Sequence, residues 1–254
     1  MTSEHAVRRA PAEGRIAAYR DALARLDAAQ KPGAGEPAYL RWINRRLGKR
    51  VAAAASVIGL TPNIVTAVSG LLSLVGFTVI AVASSEPLAA VLATLLLLAG
   101  YAFDSADGQL ARLTGSGSRA GEWLDHVVDA IRTPLAHVAI LIALTRREAP
   151  GWLLGVCVAF LVVASVWFFS QTLADQLERA RRAGRPTPPA ARTAPAWVSF
   201  AKLPADTAAL YFVVLTLPWL QLFTGAYAAL LTFTVLWAAA SLRRKYRALA
   251  VDAP

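Results

Sequence analysis

Apolar and polar positions fall in long blocks along this chain, not at the short alternating periods of a soluble fold. Six stretches are mostly apolar and roughly 20 residues long, the length a helix needs to cross a bilayer core. They are Pro62–Ala83, Leu88–Leu110, Gly121–Thr145, Trp152–Leu173, Ala205–Leu222 and Phe223–Leu242. The fifth and sixth follow each other closely around "LPWLQLF", a run too long for one span and suited to a helical hairpin. Upstream of them the pattern changes. Residues 6–29 place Ile16, Tyr19, Leu23 and Leu26 on one helical face, as in a soluble amphipathic helix. "KPGAGEP" (Lys31–Pro37) breaks that helix. Tyr39, Leu40, Ile43, Leu47 and Val51 then form a stripe opposite Arg41, Arg45, Arg46 and Arg50, which suits a helix lying in the headgroup layer. "RRAGRPTPPAARTAP" (Arg181–Pro195) is a basic, proline-rich loop. The expected architecture is an all-α membrane protein: six transmembrane helices with an N-terminal cytoplasmic and interfacial amphipathic helix. Residues 1–58 form the N-terminal helices, 59–246 the membrane domain and 247–254 a short cytoplasmic tail.

Composition supports this division. The chain is 56% hydrophobic and 17% charged, too apolar for an ordinary soluble domain. Its net charge is +10, but the basic residues flank apolar runs, so the partner they suit is the anionic membrane surface and not nucleic acid. The single cysteine, Cys157, lies in an apolar run and reads as a packed core residue, which excludes a disulfide framework. Lys and Arg are concentrated before the first span, between the second and third, between the fourth and fifth, and after the sixth. The other side carries only Arg146 and Arg147. Both termini are therefore expected in the cytoplasm, with the chain in the plasma membrane and Trp42, Trp152 and Trp219 as interfacial anchors.

One polar stretch interrupts this pattern. "DSADGQLARLTGSGSRAGEWLDHVVDA" (Asp104–Ala130) holds four aspartates and abuts apolar runs at both ends. Asp104, Asp107 and Ala111 share a helix face at i, i+3, i+7, with Gly108 and Arg112 one residue on. Gly121, Asp125 and Asp129 share another at i, i+4, i+8. "LTGSGSRAG" reads as a short turn, so two antiparallel helices bring two pairs of carboxylates together. Unpaired carboxylates at membrane depth are costly. Hard divalent cations relieve that cost because Mg²⁺ and Mn²⁺ prefer carboxylate oxygen. The small residues leave room for a substrate, and a phosphate-bearing one suits the metals. Arg112 could hold a phosphate oxygen, and one carboxylate could take a proton from an attacking hydroxyl. Intramembrane acids also mark ion pathways, so a transporter is the alternative reading. It leaves the glycine, alanine and arginine positions unexplained. His126 reads as a bystander of the site and His137 as a packed, hydrogen-bonded histidine.

The stretch resembles the signature of the CDP-alcohol phosphotransferases (CDP-alcohol phosphatidyltransferases), D-x2-D-G-x2-A-R-x8-G-x3-D-x3-D. Asp104, Asp107, Gly108, Ala111, Arg112, Gly121, Asp125 and Asp129 fill every position. At about 5% per residue type, eight fixed positions recur by chance at roughly 10⁻¹⁰ per window. "LTPNIVT" (Leu60–Thr66) is similar to the family's segment at the first span, while the first fifty residues lie outside the resemblance. The resemblance implies that Asp104, Asp107 and Asp125 are ligands of Mg²⁺ or Mn²⁺, two ions in all. Asp129 would be the general base and a further ligand. It also implies that Gly108, Ala111, Arg112 and Gly121 contact the CDP moiety, with Asn63 and Thr66 lining the nucleotide pocket. The implied reaction is direct displacement, with two metals, at the donor's phosphoryl group by an acceptor hydroxyl. CMP is released and phospholipid is built, with CDP-diacylglycerol the first candidate donor. The acceptor is open. Members that make phosphatidylinositol phosphate or phosphatidylglycerol phosphate often carry a basic residue after the last aspartate, where this chain has Ala130. "GEWLDHVVDA" looks like the "LFDH" region of choline and ethanolamine phosphotransferases. Arg132, Arg192 and Lys202 are candidate partners for a phosphorylated acceptor. The lipid bilayer is the expected partner, a homodimer is open and nucleic acid is excluded.

Overall fold

A computed structural model describes residues 12–29, 33, 35–83, 85–182 and 195–250. These residues form helices and turns, with no strand among them. The helices are α1 (Ala12–Ala28), α2 (Arg45–Val57), α3 (Pro62–Ala83), α4 (Pro87–Thr114), α5 (Arg119–Arg146), α6 (Gly151–Arg182), α7 (Ala196–Ala201), α8 (Thr207–Val214) and α9 (Leu220–Ala250). Five of them, α3, α4, α5, α6 and α9, are long and apolar enough to cross a membrane. They outrun the apolar stretches of the sequence. α4 continues to Thr114, α6 to Arg182 and α9 through Ala250, past the expected start of the tail at 247.

The fifth expected span, Ala205–Leu222, is not one continuous helix. α8 is eight residues long and is followed by tight turns through Leu217 before Pro218. A proline cannot donate the next helical hydrogen bond, so the helix stops there and α9 begins afresh at Leu220. At the start of this segment Asp206 Oδ2 accepts from the Leu40 N–H at 2.9 Å. At its far end the Arg147 guanidinium donates to the carbonyls of Leu217 and Pro218. Leu40 follows Tyr39, whose ring stacks on Tyr101 midway along α4, and Arg147 follows the end of α5, so the segment runs from mid-bundle to the Arg147 end.

Small residues bring the first helices close together. A Cβ on Gly100 of α4 would lie 2.7 Å from Ser73 Oγ and 3.1 Å from the Ser69 carbonyl oxygen of α3. One on Gly48 of α2 would lie 2.8 Å from Ser105 Oγ of α4. The buried face of the segment before Ile58 is Asn44, Gly48, Ala52 and Ala55. Ile43 and Leu47, from the expected apolar stripe, remain exposed. α1 rests on this layer through Ala22 and Leu26, while Ile16 stays exposed. Arg25 Nη2 of α1 donates to the Leu113 carbonyl at the end of α4. The main core lies between α3, α4, α5, α6, α8 and α9, around Phe77, Leu97, Ile140, Leu144, Phe223 and Tyr227. Cys157 is buried there, as expected. His137 Nδ1 meets the Tyr227 hydroxyl at 2.7 Å, the packed histidine the sequence suggested. Trp152 and Trp219 are exposed.

Candidate active site at the junction of α4 and α5

The turn between α4 and α5 is built by its own residues. Gly115 ends α4 with φ at 66°, a left-handed conformation that glycine adopts without strain. Ser118 caps α5, its Oγ accepting from the Gly121 N–H at 3.0 Å. Four residues thus reverse the chain between α4 and α5, and both helices pack against α3.

Three of the four aspartates converge. Asp104 of α4 and Asp125 and Asp129 of α5 each place a carboxylate oxygen within 4.8 Å of the others. The fourth, Asp107, is buried and turned toward α3. Its Oδ2 accepts from Thr66 Oγ1 at 2.6 Å and its Oδ1 from the Gly108 N–H at 2.5 Å. Thr66, expected at the nucleotide pocket, is thus buried against a carboxylate. Asn63 and Gly121 do come together: a Cβ at Gly121 would lie 3.1 Å from Asn63 Oδ1. Over Gly108, a Cβ would meet nothing closer than Arg112 Nη1 at 3.5 Å. This leaves an open cradle with a guanidinium at its edge, one turn from Asp104. Ala111 is partly exposed on the same stretch of α4.

The sequence reading missed the position of Arg132. It was a candidate for a phosphorylated acceptor, but its side chain is 6% exposed and lies among the carboxylates. Nη1 donates to Asp104 Oδ1 at 2.8 Å and to Asp129 Oδ1 at 2.9 Å. Nη2 donates to Ser69 Oγ at 2.6 Å, and Ser69 in turn donates to the Gly100 carbonyl. The signal available was the i, i+3 spacing of Asp129 and Arg132 on one helix face. Of the other two candidates, Lys202 donates to the Gly35 carbonyl and lies over the Trp237 ring, and Arg192 falls outside the described residues. His126 lies 3.8 Å from Glu122 and is not one of the three converging groups.

The donor set is all carboxylate oxygen, from two helices held rigidly by a four-residue turn. That is the chemistry a hard divalent cation requires, so Asp104, Asp125 and Asp129 fit the expected metal. The family model for CDP-alcohol phosphatidyltransferase matches residues 59–242. The chain belongs to this family. The match starts just before α3 and ends within α9, so it takes in the whole site and leaves α1 and α2 outside it. A membrane-embedded transferase family that uses CDP-alcohol donors and is generally dependent on divalent metal accounts for the carboxylate cluster and the apolar helices together.

Proposed function

We propose that this chain transfers a phospho-alcohol group from a CDP-alcohol, with CDP-diacylglycerol the first candidate, to an acceptor hydroxyl, releasing CMP in phospholipid synthesis. The observation that carries the reading is the convergence of Asp104, Asp125 and Asp129 inside the matched domain. Asp104, Asp125 and Asp129 would hold Mg²⁺ or Mn²⁺, with Asp107, held by Thr66, as the further ligand of the set. Bound there, the metal supplies neutralisation of the pyrophosphate and of charge developing at phosphorus. Gly108, Ala111 and Gly121 let the CDP moiety approach the helix backbone, with Arg112 on a phosphate and Asn63 and Thr66 on the nucleotide side. Asp129 takes the acceptor's proton as the new P–O bond forms and the bond to CMP breaks. Arg132 orients Asp104 and Asp129 from behind. The test is CMP release by purified protein: EDTA should abolish it and added Mg²⁺ should restore it. Ion flux in liposomes without CMP release would favour the transporter instead.

In the membrane the chain has six crossings. The 203–217 segment with α8 makes the fifth, a short and broken apolar crossing supported by its anchoring to Leu40 at one end and to Arg147 at the other. Residues 1–58 stay on the cytoplasmic face, with Ile43 and Leu47 turned to the headgroup layer and Arg46 and Arg50 to its phosphates. Residues 59–246 carry the membrane domain, both termini and the active site face the cytoplasm, and the membrane is the plasma membrane. With Cys157 replaced, Ser116→Cys should be labelled from the cytoplasmic side only and Glu148→Cys from outside. The reverse pattern would refute this orientation.

A further inference from the structure

Beside the carboxylates lies a cavity of about 300 Å³ bounded by α4, α5, α6, the start of α8 and α9. Asp104, Asp129 and Arg132 form one edge of it, and none of Asn63, Gly108, Ala111, Arg112 and Gly121 borders it. Its walls are aromatic and aliphatic, chiefly Tyr101, Phe160, Trp167, Phe168, Leu210 and Tyr211. Among the described residues Arg132 is its one cation. Its Nη1 faces Asp104 and Asp129 and its Nη2 faces Ser69, its buried Nε has no partner, and Asp206 adds a further carboxylate to the lining. The Trp167 indole N–H is buried in the wall without a partner. A second furrow, of about 400 Å³, shares Pro204 and Leu230 with the cavity and is lined by apolar and aromatic residues such as Phe212, Val213, Ala226 and Phe233.

We infer that the acceptor hydroxyl reaches Asp129 on an uncharged lipid alcohol whose apolar body fills this cavity and continues toward the furrow, and not on a phosphorylated polyol. The inference rests on the phosphotransferase reading above. In-line displacement puts the attacking oxygen opposite the leaving CMP. With CMP on the Gly108–Gly121 side, the acceptor is left with the cavity edge at Asp129. A phosphate there would lose its hydration beside the carboxylates of Asp104, Asp129 and Asp206, and among the described residues the one guanidinium on that edge already faces two of them, so burying a further anion is disfavoured. A lipid alcohol needs little beyond the aromatic and aliphatic wall.

The test has two arms, both on full-length protein in nanodiscs. In the first, CMP release is measured for CDP-diacylglycerol, CDP-choline, CDP-ethanolamine and CDP-glycerol, each with dioleoylglycerol, glycerol 3-phosphate or inositol 1-phosphate as acceptor. The neutral lipid is expected to exceed both phosphorylated acceptors by about 10²-fold or more in kcat/KM, and preference for either phosphorylated acceptor overturns the proposal. In the second, a diazirine-bearing diacylglycerol is photolysed and the adducts are mapped. Adducts are expected on residues 164–171 and 204–211, lost in Ala164→Trp, which still binds the CDP donor, and retained under saturating CDP-diacylglycerol. Adducts confined to outward residues such as Val162 and Phe169, or displaced by CDP-diacylglycerol, overturn it, the latter by making the cavity a donor-chain site. If no pair in the first arm yields CMP, the reaction itself fails, and the adduct map still decides the occupant of the cavity.

Discussion

α3 and α4 meet backbone to backbone, whereas the outer faces of α6 and α9 leave open space beside their glycines. On the first side Gly100 and Gly76 sit where an added Cβ would come within 2.7 and 3.0 Å of the neighbouring helix. On the second side Gly155 of α6 and Gly225 of α9 have nothing within 4 Å of an added Cβ. In its most apolar stretch α6 is 17% buried, against 39% for α3 and α5. Close backbone packing is rigid because it has few soft torsions to give. It is therefore the side that can hold three carboxylates within 4.8 Å of one another. The looser side leaves about 300 Å³ open next to them. Precision in placing metal ligands and room for a substrate are supplied by different helices, and the two sides can be perturbed separately.

The largest effect is expected at the meeting line of the two regions. Asp129→Asn keeps the side chain's size and loses its proton affinity, so CMP release should fall about 10²–10⁴-fold, the usual loss when a general base is removed, while donor binding changes little. Recovery of the rate under excess Mg²⁺ would make Asp129 chiefly a ligand. Arg132→Met probes the rigid side from within. It strips the guanidinium from Asp104 and Asp129, and breaking a buried ion pair costs about 3–5 kcal/mol. Thermal unfolding in metal-free buffer should show that loss. Saturating Mg²⁺ should recover most of it, because a cation that binds only the folded site restores the missing charge. A loss that Mg²⁺ leaves untouched would mean the three carboxylates do not form a metal site.

What could be read in advance follows the same division. The carboxylate spacings at i, i+3 and i, i+4 are local properties of a helix, so the faces bearing Asp104, Asp125 and Asp129 were legible from the sequence. Whether those faces meet depends on the turn, and Gly115 and Ser118 signal it. Asp107 was placed with the others by the same spacing, but its partner, Thr66, lies 41 residues away on another helix, and no periodicity carries that information. Before the first span hydropathy marked the residues left outward and was silent on the buried ones. Ile43 and Leu47 drew the eye, while burial went to Asn44, Gly48 and Ala52 because close approach to α4 requires small side chains. Pro218 in "LTLPWL" announced the end of α8, yet the apolar count around it hid the break. The cavity had no sequence signal at all, since its walls come from five separate segments.

Gly100→Ala tests the close packing itself. The new methyl would lie 2.7 Å from Ser73 Oγ and 3.1 Å from the Ser69 carbonyl. The hydroxyl can be removed by Ser73→Ala but the carbonyl cannot move without α3. Overpacking of this kind costs about 1–3 kcal/mol. The single variant should unfold earlier, and the double variant should recover part of the difference. Because Ser69 also carries the Arg132 hydrogen bond, turnover should fall with stability. Unchanged turnover would show that the carboxylates are not positioned through this contact.

The smallest effect is expected at Gly155, and it is the most informative about surroundings. Alanine there meets no neighbour within 4 Å, and in a helix interior alanine is favoured over glycine by about 1 kcal/mol. Gly155→Ala should therefore raise the unfolding temperature slightly, with CMP release unchanged, and Gly225→Ala should behave alike. A destabilisation as large as that of Gly100→Ala would break the comparison, because it would require something pressed against the outer face of α6. In a homodimer that something is a second copy of the chain. A cysteine at position 155, in protein lacking Cys157, would then form a disulfide across two chains under mild oxidation. Lipid alone on that face gives the small gain and no crosslink.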